Sequence, residues 1–272
     1  MAGVARRIAL LLQYHGGGFA GSQRQAGQPS VQEALEEAVA ALTGARTRCD
    51  FAGRTDAGVH ALEQVAAFTS TADIPAARWI RGLNHFLPAD VAVQAAREVP
   101  ADFDPRRAAL DRTYHYRVRL AAQRQPLWER AAWVLSGPFD LDAMRRALMT
   151  LEGEHEFAAF AGRTDGAGTV RTLQKACLHA TVNGLEFRFQ APSFLPHQVR
   201  HMVGQVIAVG RGSVCPGIVE ELLARPRTGA AGPVAPPQGL YLVRVRYELA
   251  ALQGWETFAG WEEHEDVRWT AD

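Results

Sequence analysis

A chain of 272 residues with 47% hydrophobic and 21% charged content is long enough for one large or two ordinary domains around a sizeable core, which excludes a disordered or fibrous protein. Its three cysteines, Cys49, Cys177 and Cys215, are too few and too scattered for a disulfide framework or a Cys-x-x-Cys metal site, so a reduced, cytoplasmic protein is expected. Formal net charge is zero, yet residues 1–247 hold 28 basic against 22 acidic side chains, a balance that permits a nucleic-acid partner without demonstrating one.

Arg6-Arg7 precedes an apolar run, residues 8–12, that is too short for an export signal or a membrane span, and residues 8–14 are predicted as the first strand. Gly16 to Gly18 lacks the spacing of a phosphate loop. Ser30 with Glu33 forms a capping-box pattern, and Val31, Leu35, Ala38, Val39 and Leu42 then share one helical face until Gly44. Strands are predicted over 47–52 and 64–68, a helix over 79–86 ended by Pro88, and a strand over 91–99. Residues 100–105 lead into a second half, which opens with an alternating strand over 112–120 and a helix over 139–151. Asn183-Gly184 is the preferred type I′ turn and predicts a hairpin of 176–182 with 185–191. Helices over 196–209 and 216–225, a Pro/Gly/Ala-rich loop over 226–238 and a strand over 239–247 complete the pattern. The fold class expected is α/β (α+β), with two related halves, 1–105 and 106–247, whose mainly antiparallel sheets meet at a central cleft with helices on the outer faces. Residues 248–272 form an acidic extension that carries Trp255, Phe258, Trp261 and Trp269.

The stretch between the second and third strands, Gly53-Arg54-Thr55-Asp56-Ala57-Gly58-Val59-His60-Ala61, joins two glycines with one charge of each sign. Glycine allows a sharp turn or a close approach to a ligand, and an acid beside an arginine stays ionised, so Asp56 can serve as nucleophile or base. Local chemistry also fits an ordinary turn, with Asp56 bonding the backbone and Arg54 solvated. Gly162-Arg163-Thr164-Asp165 repeats four of these residues in a second Gly-rich segment and is read as a loop. His197 and His201 have a metal-ligand spacing on a helix, but Gln198 stands where a His-Glu-x-x-His site has its Glu, so no metal is expected.

The segment 53–61 resembles the signature of the TruA family of tRNA pseudouridine synthases. The resemblance runs on through Tyr14-His15-Gly16-Gly17-Gly18-Phe19 with Gln23-Arg24-Gln25, Ser30-Val31-Gln32-Glu33, residues 84–88, Arg112-Thr113-Tyr114-His115-Tyr116, residues 194–204 and Gly239-Leu240-Tyr241-Leu242-Val243. Departures are His15 and Ser22, where the family usually has Asp and Trp, and Pro196, which replaces one of a pair of histidines.

The resemblance implies the pseudouridine synthase fold and isomerisation of uridine at positions 38, 39 and 40 in the anticodon stem-loop of tRNAs, by a homodimer and without a cofactor. It also implies that Asp56 is catalytic, that Arg54 helps displace the base and that Arg200 pairs with Asp56. Tyr114 would stack on the base and Leu242 line its pocket, while Arg24, Gln25, His60 and Arg112 would contact tRNA. A hydrolytic glycosidase, which needs a second nearby carboxylic acid, and a non-catalytic RNA-binding module are the competing classes.

Overall fold

The structure is a computed structural model that describes residues 4–162, 168–249 and 252. Its first half contains β1 (Arg6–Tyr14), α1 (Val31–Thr43), β2 (Asp50–Phe51), β3 (His60–Ser70), α2 (Ala76–Phe86) and β4 (Val91–Val99). Its second contains β5 (Asp111–Leu120), β6 (Trp133–Leu135), α3 (Leu141–Leu151), β7 (Gly153–Glu156), β8 (Val170–Leu173), β9 (Lys175–Thr181), β10 (Gly184–Ala191), α4 (Gln198–Gly210), α5 (Ile218–Ala224) and β11 (Leu240–Arg246). Segments 163–167 of the second Gly-Arg-Thr-Asp string and 253–272 of the extension lie outside the described residues.

The mixed α/β class and the mainly antiparallel pairing are as expected, but, with β7 and β8 in a separate two-stranded sheet, nine strands drawn from both halves join in one sheet. Its order is β4-β1-β3-β11-β5-β10-β9, with β2 on β3 and β6 on β5. The junction is made by the last strand: β11 lies between β3, which it pairs in parallel at Tyr241↔His60 and Leu242↔Ala61, and β5, which it pairs antiparallel. Whatever precedes β3 and whatever β11 and β5 carry inward are therefore brought together at mid-sheet.

Local sequence explains the elements. Ser30 caps α1 by accepting from the Glu33 amide, and Gly44 ends it in a left-handed conformation, as the capping box and the glycine predict. Asp140 caps α3 in the same way. In β10, Leu185, Phe187, Phe189 and Ala191 are buried while Glu186, Arg188 and Gln190 are half-buried, so the apolar face packs in the core. Phe187 and Phe189 are both solvent-free, each contributing about 1.5–3 kcal/mol by leaving water.

Three expectations need correction. The strand read over 47–52 is reduced to Asp50–Phe51, whereas β3 begins at His60, so His60 and Ala61 belong to the sheet and not to the loop. The hairpin turn is Val182-Asn183, neither of which has positive φ, so it is not a type I′ turn. Gly184 instead pairs with Thr181 and Arg119 in the sheet, and its glycine serves a close approach: a Cβ there would lie 2.0 Å from the Val118 carbonyl oxygen.

Candidate active site

The loop that carries Asp56 is held from below by buried polar groups. The Thr55 amide donates to Ser22 Oγ at 2.8 Å, and the Ser22 amide donates back to the Thr55 carbonyl at 3.1 Å. Thr55 Oγ1 lies 2.8 Å from the Tyr14 hydroxyl, and Gln64 Nε2 donates to that hydroxyl and to the Gly53 carbonyl. Burial pushes the Tyr14 phenol up to about 12, so it stays protonated. Gly58 turns the chain at φ 79°, and a Cβ there would meet Pro237 at 2.9 Å, a position only glycine suits. Ser22, where the family usually has Trp, is buried in this network and serves it as a latch.

Above the latch, Asp56 Oδ2 accepts from Arg200 Nη1 at 3.0 Å, and His197 Nε2 lies 3.6 Å from the same oxygen. Arg200 is aimed by the backbone: its Nε donates to the Ala235 carbonyl at 2.8 Å, while the Ala235 amide donates to the Arg200 carbonyl. A guanidinium keeps its charge at any working pH, so a permanent cation adjoins the carboxylate. Ala235 belongs to the Pro/Gly/Ala-rich segment read as a plain loop, which proves to be a strap over α4. The Pro233 carbonyl packs so closely on Gly204 that a Cβ there would come within 1.8 Å, and Gln205 Oε1 accepts from the Gly232 amide. The same strap receives the Tyr116 hydroxyl on the Pro236 carbonyl.

Tyr114 and Leu242 are opposite each other across β5 and β11. Leu242 is solvent-free and also pairs with Ala61, so it sits at the junction itself. Tyr114 is 8% exposed, with its ring edge-on to Phe194 at 5.2 Å. Burial first, and then the nearby Tyr14 and Asp56, raise its phenol, which therefore stays protonated and can donate a proton but not accept one. Arg54 is exposed two residues from Asp56 and has no hydrogen bond or ion pair among the described residues.

The four residues expected to contact tRNA divide. Arg24 is about half exposed, pairs with Glu33 and Glu36, and lines a surface hollow with Arg46 and Arg48 that includes none of the residues around Asp56. Gln25 is exposed and donates to the Ala20 carbonyl. Arg112 and His60, in contrast, are buried. The Arg112 guanidinium donates through Nη1 and Nη2 to the carbonyls of Ala52, Arg106, Ala109 and Pro192, a clamp on four backbone segments. His60 Nδ1 accepts from the Gly16 amide at 3.1 Å, so its other nitrogen carries the proton and faces the Gln238 carbonyl at 3.2 Å. Burial, with His15 adding to it, lowers this imidazole to about 4, so His60 is a neutral strut between loop and strap.

Sequence reasoning missed the Ser22 latch, the strap and the approach of His197 to Asp56. For His197 the signals were its spacing to His201 and its place in the matched block 194–204; of the two histidines, His201 is buried with its Nδ1 unpaired. Among the described residues no group of three or more His, Cys, Asp or Glu side chains is placed to hold a metal.

A family model described as tRNA pseudouridine synthase matches residues 12–106 and 147–248. The chain is 42% identical over 243 residues to tRNA pseudouridine synthase A of Myxococcus xanthus, spanning 89% of this chain and 92% of that protein. It is 42% identical over 243 residues to the protein of the same name in Burkholderia thailandensis, with 89% and 90% covered. The protein of that name in Dechloromonas aromatica is 41% identical over 244 residues, with 89% and 93% covered. The matched segments carry Asp56 in one and Arg200 and Leu242 in the other, the residues that the parallel β3–β11 pairing brings together, and the chain belongs to the tRNA pseudouridine synthase family.

Proposed function

We propose that this protein isomerises uridine to pseudouridine at positions 38, 39 and 40 in the anticodon stem-loop of tRNAs, in the cytoplasm, as a homodimer and without a cofactor. Asp56 is the reacting carboxylate, and the observation that carries the reading is its pairing with Arg200 beside the buried Tyr114. The units are residues 1–105, which supply Asp56, residues 106–247, which supply Arg200, Tyr114 and Leu242, and an appended 248–272.

The chemistry follows from the groups present. The bond between uracil N1 and C1′ of the ribose breaks, the uracil turns while held, and a bond forms between C5 and C1′ as any bond to Asp56 is released or any C2′ proton returned; the proton on C5 then leaves and N1 takes one up, so the product is an isomer. The Asp56 carboxylate either attacks C1′ or takes the C2′ proton, and the Arg200 guanidinium holds it in place for either role. Tyr114 offers a ring for stacking and a protonated hydroxyl, Leu242 an apolar wall, and Arg54 a solvated cation that takes the place of the extruded base. Arg24, Gln25, His60 and Arg112 are the proposed tRNA contacts, the first two at the surface and the last two buried.

The test is tritium release from tRNA carrying uridine labelled at C5, with the sites then mapped. Release confined to positions 38 to 40 is expected. Free uracil would identify a hydrolase instead, and tRNA binding without release would identify a binding module.

A further inference from the structure

His197 alone, among described residues other than glycine, has a left-handed backbone, with φ 61° and ψ 2°. It stands at the N-terminal cap of α4 and makes no capping hydrogen bond with its side chain. Its side chain is 45% exposed, so burial in the core does not account for the strained backbone. The ring is directed elsewhere: its Nε2 lies 3.6 Å from Asp56 Oδ2, while Gly162 packs on the other side, where a Cβ would lie 3.4 Å from Nδ1. The Gly162 amide donates to the Pro196 carbonyl at 2.9 Å and so fixes the residue before the histidine.

Two nitrogens thus converge on one oxygen. Arg200 Nη1 and His197 Nε2 both approach Oδ2, whereas Oδ1 has no hydrogen-bond or ion-pair partner among the described residues. We infer that His197 is a positioning residue for the isomerisation, which with Arg200 holds Oδ2 so that Oδ1 is the oxygen presented to the ribose. The inference rests on Asp56 being the reacting carboxylate. A separation of 3.6 Å is too long for a hydrogen bond, but such contacts are commonly long in an empty site and tighten around substrate, and a half-exposed ring has room to close the gap.

Steady-state kinetics on tRNA with His197→Asn and His197→Gly test this, since both replacements accept a left-handed backbone and neither carries an imidazole. The expected result is kcat lower by about tenfold in both, KM within about twofold, and a melting temperature not below that of the unmodified protein. Added imidazole should recover part of the loss in His197→Gly. Unchanged kcat in His197→Asn, a loss expressed in KM as for a phosphate contact, or a loss in His197→Gly that imidazole leaves as it is would overturn the inference. Asp56→Asn run alongside separates the two levels. If that variant still turns over, the reading of Asp56 has failed; if it is inactive and His197→Asn is normal, only the role of His197 has.

Discussion

Ser22 and Thr55 hold each other twice, amide to hydroxyl at 2.8 Å and amide to carbonyl at 3.1 Å, and the residue after Thr55 is Asp56. Ser22→Ala leaves the Thr55 amide, in a residue 6% exposed, without its acceptor. Stability should fall by about 1–3 kcal/mol, the cost of an unsatisfied buried donor. Because the loop that loses its latch carries the carboxylate, kcat should fall more than tRNA affinity. Urea denaturation with single-turnover kinetics checks both, and unchanged stability would show that water satisfies the amide.

Arg200 divides its guanidinium between Asp56 and the Ala235 carbonyl, and lysine has no fork with which to do both. Arg200→Lys should lower kcat by about 10- to 100-fold with tRNA bound nearly as before, and Arg200→Met should lower it further, since no fixed cation then adjoins Asp56. A Lys variant with normal turnover would mean that the charge suffices and the strap's aim does not matter.

His60 makes stability depend on pH with a definite sign. Its imidazole sits at about 4 in the folded chain against about 6.5 when unfolded, so as pH falls the unfolded chain takes up a proton first. The contribution is complete above 6.5 and is lost on the way down to about 4, which amounts to about 2 kcal/mol between pH 7.5 and pH 5. His179 and His201, also lowered by burial, add to the slope with the same sign, so the measurement is the difference between the unmodified protein and His60→Gln. Denaturation curves should show the smaller pH dependence in the variant; equal slopes would mean that His60 takes up a proton as readily in the fold as in the unfolded chain.

The sequence showed where side-chain chemistry sets local structure and concealed what depends on long-range backbone contacts. The α1 cap, the apolar face of β10 and the glycine-flanked Asp56 loop were legible because each is written in residues near one another in the chain. Arg200 lies 144 residues from Asp56, and only family resemblance could join them. The strap was invisible for a different reason: it acts through the carbonyls of Ala235, Pro236 and Gln238, which every sequence has. The burial of Arg112 was legible, since alternation in β5 puts it on the same face as the buried Tyr114 and Tyr116.

Binding of tRNA should weaken steeply with salt, because Arg54 and the Arg24, Arg46 and Arg48 group would displace counterions from phosphate. Titrations at several salt concentrations measure the slope, and a flat response would count against an extended RNA contact.

The repeated Gly-Arg-Thr-Asp string supplies an internal control for the reacting carboxylate. Asp56→Asn keeps the size of the side chain and removes its charge, so tRNA should still bind while tritium release is lost. Asp165 carries the same local sequence but lacks the Gly-Val-His continuation that brings Gly58 against Pro237 and starts β3 at His60. Its replacement by Asn should therefore alter turnover by less than about twofold. Both variants can be compared on one labelled tRNA preparation, with circular dichroism confirming that each is folded. A folded but inactive Asp165→Asn, or an Asp56→Asn that still releases tritium, would move the chemistry to the second loop and remove the basis for the roles given to Arg200 and Arg54.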